Sequence, residues 1–240
     1  MLGKHEEPVV EVVHAAPRRA DALERWLTDD ERERAAAMRV TGARDRFTTA
    51  HALLRLAVAD SIGAPPDALV FGATCRHCGG PHGRPELRAP GGHLVHLSLS
   101  RTGSAVAVAI TRLGPVGLDV EGPVADDFER FDDVALTPSE QRAVTALDPD
   151  DRAGGRATLW ARKEAVLKAT GDGLLVEPHL VEVSGPNDPA RLVAWHAGSA
   201  PATMQLVDVA LPTGTRGAVA VLSTRLPELV IRSGEDLLDR

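Results

Sequence analysis

The chain has 240 residues, 43% of them hydrophobic and 25% charged, with a net charge of −7 at pH 7. These proportions suit a folded globular core and exclude a fibrous or low-complexity polymer, while the acid excess excludes a general nucleic-acid binder, which needs a basic face. No apolar run approaches the roughly 20 residues that cross a bilayer, and acidic residues stand where a secretory leader carries its apolar stretch. No membrane partner and a cytoplasmic location are therefore expected.

In chain order, residues 9–13 alternate as a first strand, and residues 20–39, rich in Ala, Glu and Arg, read as helical. Thr28 followed by Asp29, Asp30 and Glu31 is a capping-box signature that starts a helix. Residues 46–62 form a longer amphipathic helix stopped by Gly63 and Pro65. Glycine and proline punctuate 70–92, where turns are expected and no long helix fits. Strands follow at 93–100, 105–111 and 116–121, the first two joined as a hairpin through 101–104. In the second half, helices at 138–147 and 157–170 precede strands near 180–184, 191–196, 204–210 and 218–224. Helix then strands, twice, predicts an α+β fold of two similar halves joined near 113–116, each with a long helix on a small, mostly antiparallel sheet. The N-terminal half is 1–113 and the C-terminal half 114–240.

Two motifs carry chemistry. In Gly117-Leu118-Asp119-Val120-Glu121 the acids lie two apart on a strand and so project to one face. Paired carboxylates make a hard-oxygen site adequate for Mg²⁺ completed by substrate phosphate, or simply a solvated strand face. In Trp160-Ala161-Arg162-Lys163-Glu164-Ala165-Val166-Leu167-Lys168, helical spacing aligns Trp160, Glu164 and Lys168 on one face. Lysine occurs at only three positions, 4, 163 and 168, among 27 basic residues. An ordinary ion pair is served as well by arginine, so a lysine here points to the compact charge that can approach a single anion. Cys75-x-x-Cys78 with His77, His82, His93 or His96 could begin a zinc site, but a closed site needs four ligands and no second cysteine pair exists.

Gly83-Arg84-Pro85, then residues 95–100, then the Asp119/Glu121 strand, then the Trp160–Lys168 helix occur in an order and separation that resembles the surfactin-type 4′-phosphopantetheinyl transferases over residues 20–225. The resemblance implies that family's pseudo-twofold fold and a holo-[carrier protein] synthase. Such an enzyme transfers the phosphopantetheine arm of coenzyme A to a serine of an apo acyl or peptidyl carrier protein and releases 3′,5′-ADP. It implies Mg²⁺ on Asp119, Glu121 and Glu164, with Glu164 as general base and Lys168 stabilising the transferring phosphate. It implies CoA contacts from Arg84 and Pro85 of the Gly-Arg/Lys-Pro motif, from Ser98, and from Arg34 and Arg46 near the expected helical positions. Glu140 matches the family's Phe-Ser-x-x-Glu acid, with either site support or helix capping as its role.

One departure stands out. With the family's Phe-Asn-x-Ser-His-Ser strand set on residues 95–100, Leu99 replaces the histidine that meets a CoA phosphate, and His96 replaces the asparagine. Leucine has no donor, so His96 or Arg101 must compensate, or the chain is a CoA- or carrier-binding homologue that does not transfer the arm. A monomer is expected, since two halves in one chain leave no need for a dimer to build the site.

Overall fold

The computed structural model describes residues 8–74, 78–80, 83–89, 95–122, 130–212 and 214–240. The elements are β1 (Val9–Ala15), α1 (Ala20–Leu23), α2 (Asp29–Ala36), α3 (Thr41–Ile62), β2 (Val70–Ala73), β3 (Pro85–Ala89), β4 (His96–Arg101), β5 (Val106–Thr111), β6 (Val116–Glu121), α4 (Phe131–Ala135), α5 (Pro138–Thr145), α6 (Arg152–Thr170), β7 (Val181–Val183), β8 (Leu192–Trp195), β9 (Gln205–Ala210), β10 (Arg216–Val221), β11 (Glu228–Ser233) and α7 (Glu235–Leu238). They form a six-stranded sheet ordered β11-β1-β5-β4-β3-β2, a three-stranded sheet ordered β6-β10-β9, and the β7-β8 pair. Neighbours are antiparallel except β1 and β11, which run parallel.

Strand alternation sorts the apolar residues into three cores. Val13, Leu97, Val106, Val108 and Ile110 face α3, which contributes Phe47, Leu53, Leu54 and Leu56. On the opposite face of the same strands, Val10, Val12, Ala105, Ala107 and Ala109 meet Leu118, Val120, Val209 and Val219 of the smaller sheet. Beyond that sheet lies α6, with Leu159, Ala161, Ala165 and Val166. Two sheets lie back to back with a long helix outside each, which is the α+β arrangement of two similar halves expected from the sequence. Among the described residues no helix is long and apolar enough to cross a membrane.

The elements differ from expectation where local chemistry interrupts a pattern. The helix expected over 20–39 is cut by a 3₁₀ turn at Glu24–Trp26, because Thr28 opens a new helix. Its hydroxyl accepts from the Glu31 amide at 3.3 Å while Glu31 accepts from the Thr28 amide at 2.8 Å. Turn-rich residues 70–92 nonetheless hold the antiparallel pair β2 and β3. Helix α6 begins five residues before the expected 157, running through Gly154 and Gly155. At Gly155 a Cβ would stand 2.5 Å from Leu147 Cδ1, so a glycine there is a packing requirement.

The last segment returns to the first half. β11 extends the first sheet beside β1, and α7 delivers Leu237 and Leu238 to the α3 core. Arg18 fastens it by donating to Glu235 at 2.6 Å and Asp239 at 2.5 Å, and Arg232 pairs with Glu11. Of the possible zinc ligands, Cys75, His77, His82 and His93 lie outside the described residues, and Cys78 is exposed.

Candidate active site

β6 is covered on both faces. Leu118 and Val120 point to the first sheet, which leaves Gly117, Asp119 and Glu121 toward α6. A Cβ on Gly117 would lie 1.9 Å from the Ala165 carbonyl oxygen and 2.5 Å from the Ala169 amide nitrogen, so the glycine lets the helix backbone rest on the strand. The helical stripe thereby meets the strand's acids. The Trp160 indole N–H turns to Glu121, Lys168 donates to Asp119 Oδ1 at 2.6 Å and to the Leu118 carbonyl at 3.1 Å, and Glu164 stands one turn from each.

Burial gives this group its electrostatics. Desolvation foremost, and then the neighbouring Asp119, push the Glu121 carboxyl up to about 8, with Lys168 and Trp160 opposing. Glu164 is also raised, first by burial and further by Asp119, with Lys168 pulling the other way. Among the described residues, two oxygens of this group, Asp119 Oδ2 and Glu164 Oε1, are buried without a hydrogen-bond partner, an arrangement that costs free energy unless a cation or donor arrives.

Those orphaned oxygens and the all-oxygen donor set fit a hard divalent cation. Among the described residues no three His, Cys, Asp or Glu side chains are gathered into a ready cage. Mg²⁺ accepts one or two carboxylates when substrate phosphates and waters supply the rest, so the site suits an ion that arrives with a phosphorylated ligand.

A second group is cationic. Arg34 from α2 and Arg101 from β4 lie over the Phe47 ring at 5.0 Å and 5.7 Å. Burial foremost, then Arg46 and Arg34, hold the Arg101 guanidinium below its usual range. His51, stacked on Phe47 at 4.0 Å, is pushed down to about 4 by burial, with Arg34, Arg101 and Arg55 adding to it and Glu31 opposing. Converging guanidiniums with few acids between them make an anion pocket.

β4 connects the two groups. Among the described residues β6 pairs only with β10, so its other edge is open to β4. There the Ser98 hydroxyl accepts from the Leu118 amide at 2.9 Å and the Ser100 hydroxyl accepts from the Val120 amide at 3.2 Å. Ser100 also donates to Asp119 Oδ1 at 2.8 Å. The strands therefore run side by side in the same direction, which sets Arg101 at the Glu121 end of the acids.

The residues singled out in the sequence are thus divided. Asp119, Glu121, Glu164 and Lys168 come together, and Arg34 and Arg46 join Arg101. Arg84 and His96 lie toward the other end of β4, where Arg84 donates to the Ala169 carbonyl at 3.2 Å and lowers His96, whose larger shift comes from burial. Pro85 opens β3. Ser98 is 2% exposed and its hydroxyl is committed to the Leu118 amide, so it does not face a ligand. Leu99 packs toward the α3 core, on the same side of β4 as Arg101. The motifs give no site role to Ser100, the Trp160 indole or His51. Only the period-2 alternation of β4, which puts Ser100 on the face of Ser98, could have marked the first of them.

Lys163, fully buried, has a structural place. It donates to Glu140 at 2.6 Å and to the carbonyls of Pro178 and Val181, while Glu140 accepts from the Thr137 and Val183 amides. Glu140 therefore caps α5 and anchors β7. Arg162 similarly gathers Asp208 with the carbonyls of Ser184, Gly185 and Asp188.

A family model for the 4′-phosphopantetheinyl transferase superfamily matches residues 115–221. The 4′-phosphopantetheinyl transferase HetI of Nostoc sp. is 30% identical over 171 residues, covering 69% of this chain and 68% of its own. A 4′-phosphopantetheinyl transferase of Bacillus subtilis is 29% identical over 126 residues, and the match spans 50% of its length.

Proposed function

The chain belongs to the 4′-phosphopantetheinyl transferase superfamily, and on that footing we propose that it is a Mg²⁺-dependent enzyme of the surfactin type. In this reading it moves the phosphopantetheine arm of CoA to a serine of an apo acyl or peptidyl carrier protein of fatty-acid, polyketide or peptide synthesis. One observation carries the proposal: a buried carboxylate group with two unpartnered oxygens and an arginine pocket are joined by a single strand, β4. CoA has a pyrophosphate and a separate ribose 3′-phosphate, two anionic centres that match the two groups.

The nucleotide side falls on residues 1–113 and the catalytic helix on 114–240, all in one chain, so a monomer suffices. Asp119, Glu121 and Glu164 would hold Mg²⁺, which when bound offsets the charge growing on the leaving phosphate. The remaining steps belong to side chains. The carrier serine hydroxyl loses its proton to Glu164, the carboxylate one helical turn from Lys168. The serine oxygen bonds to the phosphorus that bears the pantetheine arm, and the bond from that phosphorus to the bridging oxygen breaks. 3′,5′-ADP leaves with the bonding pair. Lys168, one turn from Glu164, faces the same space and offers its one remaining N–H to the transferring phosphate.

The register of the β4 motif supports this reading. Set two residues further on, its first serine falls on Ser100 and its histidine on Arg101. The charge missing at Leu99 is then supplied by a guanidinium on the same face. Arg84, which donates to the last turn of α6, and His96 beside it would give CoA further contacts. Folded Glu164→Ala and Lys168→Ala variants are expected to modify a cognate carrier at least 100-fold more slowly than the parent; equal rates from both would remove the proposed chemistry.

A further inference from the structure

The geometry points to Ser100 as a positioning residue that sets Asp119 for its cation, an inference that rests on the metal-dependent reading above. Asp119 is 3% exposed, and its two oxygens have opposite environments. Oδ1 receives the Ser100 hydroxyl at 2.8 Å and the Lys168 ammonium at 2.6 Å, whereas Oδ2 has no donor among the described residues within hydrogen-bond distance and the Glu121 carboxyl lies beside Asp119. Two donors on one oxygen, one from β4 and one from α6, prevent the carboxylate from turning over. The free oxygen is thereby held in place before any ion arrives. Ser100 is fixed in turn, because its own oxygen accepts from the Val120 amide at 3.2 Å. Hydrogen bonds of this kind to a ligating carboxylate typically alter metal affinity 10- to 100-fold.

Ser98 supplies the internal control. It stitches the same two strands through the Leu118 amide at 2.9 Å but is given no bond to Asp119. Removing either hydroxyl weakens the seam between the sheets; removing that of Ser100 alone releases the acid.

The test is Mn²⁺ uptake, followed by loss of the free-ion EPR signal, by the full-length protein alone and with CoA. Carrier modification is measured in parallel against Mg²⁺ concentration. Ser100→Ala is expected to weaken Mn²⁺ binding by the protein alone about 10-fold and to raise the half-saturating Mg²⁺ concentration by a similar factor. Ser100→Thr restores both. Ser100→Cys, similar in size but a far weaker donor, reproduces the loss and serves if the alanine variant does not fold. Ser98→Ala lowers the melting temperature and leaves Mn²⁺ binding unchanged. Parent-like Mn²⁺ binding by Ser100→Ala, an equal loss in Ser98→Ala, or a parent that takes up no Mn²⁺ overturns the inference. A Mn²⁺ defect confined to Ser100 variants of a parent that transfers no arm would instead sustain Ser100 and remove the transferase reading.

Discussion

Lys163 and Lys168 sit five positions apart on one helix yet do different things. Lys163 is sealed inside with Glu140, and its removal strands a buried carboxylate, which generally costs about 3–5 kcal/mol. Lys163→Ala is expected to lose about that much in urea unfolding. Lys168 is wedged between the Leu118 carbonyl and Asp119. A planar guanidinium does not fit that wedge while still meeting a phosphate, so Lys168→Arg should cost transfer at least 10-fold while moving the melting temperature by only a few degrees. Carrier mass assays beside thermal denaturation separate the two. The scarcity of lysine in the sequence marked both positions; it could not tell them apart, because the partner of Lys163 comes from a helix more than 20 residues away.

The elements carry a second layer of expectation. Gly117 permits α6 to touch β6, so Gly117→Ala must push a helix away from a strand that is buried on both sides, and loss of soluble folded protein is the predicted outcome on expression. The α2–α3–β4 pocket has its own signature in His51. Its folded value of about 4 lies below the usual 6.5, so the unfolded chain takes up a proton first as pH falls. Stability from this residue is complete above pH 6.5 and declines toward pH 4. His51→Gln should flatten that slope in denaturant titrations at stepped pH. Binding 3′,5′-ADP should raise the His51 value in an NMR titration, because a phosphate offsets Arg34 and Arg101. An unmoved His51 resonance would argue against this pocket as the phosphate site. The strand carrying Asp119 and Glu121 and the helix carrying Glu164 were legible because periods of 2 and 3.6 put like chemistry on one face. The proposed role of Arg101 was obscured because the motif set two residues earlier finds serine at both of its serine positions, Ser98 and Ser100, and because a shift of two leaves every motif position on the same face of the strand.

At the scale of the whole molecule, the repeated order of helix and strands disclosed the two halves, but the final strand was not foreseen. Nothing local in residues 228–233 says that they pair in parallel with the first strand of the chain, a contact spanning almost its full length. That return binds the halves together, and deleting residues 227–240 should expose Leu53, Val13 and the β1 edge and abolish cooperative unfolding of the remainder. The same joining of halves brings the acids beside β4, across from the arginine pocket, and the proposed transfer of a CoA arm depends on it. The most direct measurement is the mass of an apo carrier protein after incubation with this protein, CoA and Mg²⁺. The carrier should gain the mass of one phosphopantetheine arm on a single serine, with 3′,5′-ADP released in equal amount. A protein that binds CoA by calorimetry yet leaves the mass of every carrier in a panel of fatty-acid, polyketide and peptide types unchanged would contradict the account and identify a binding homologue.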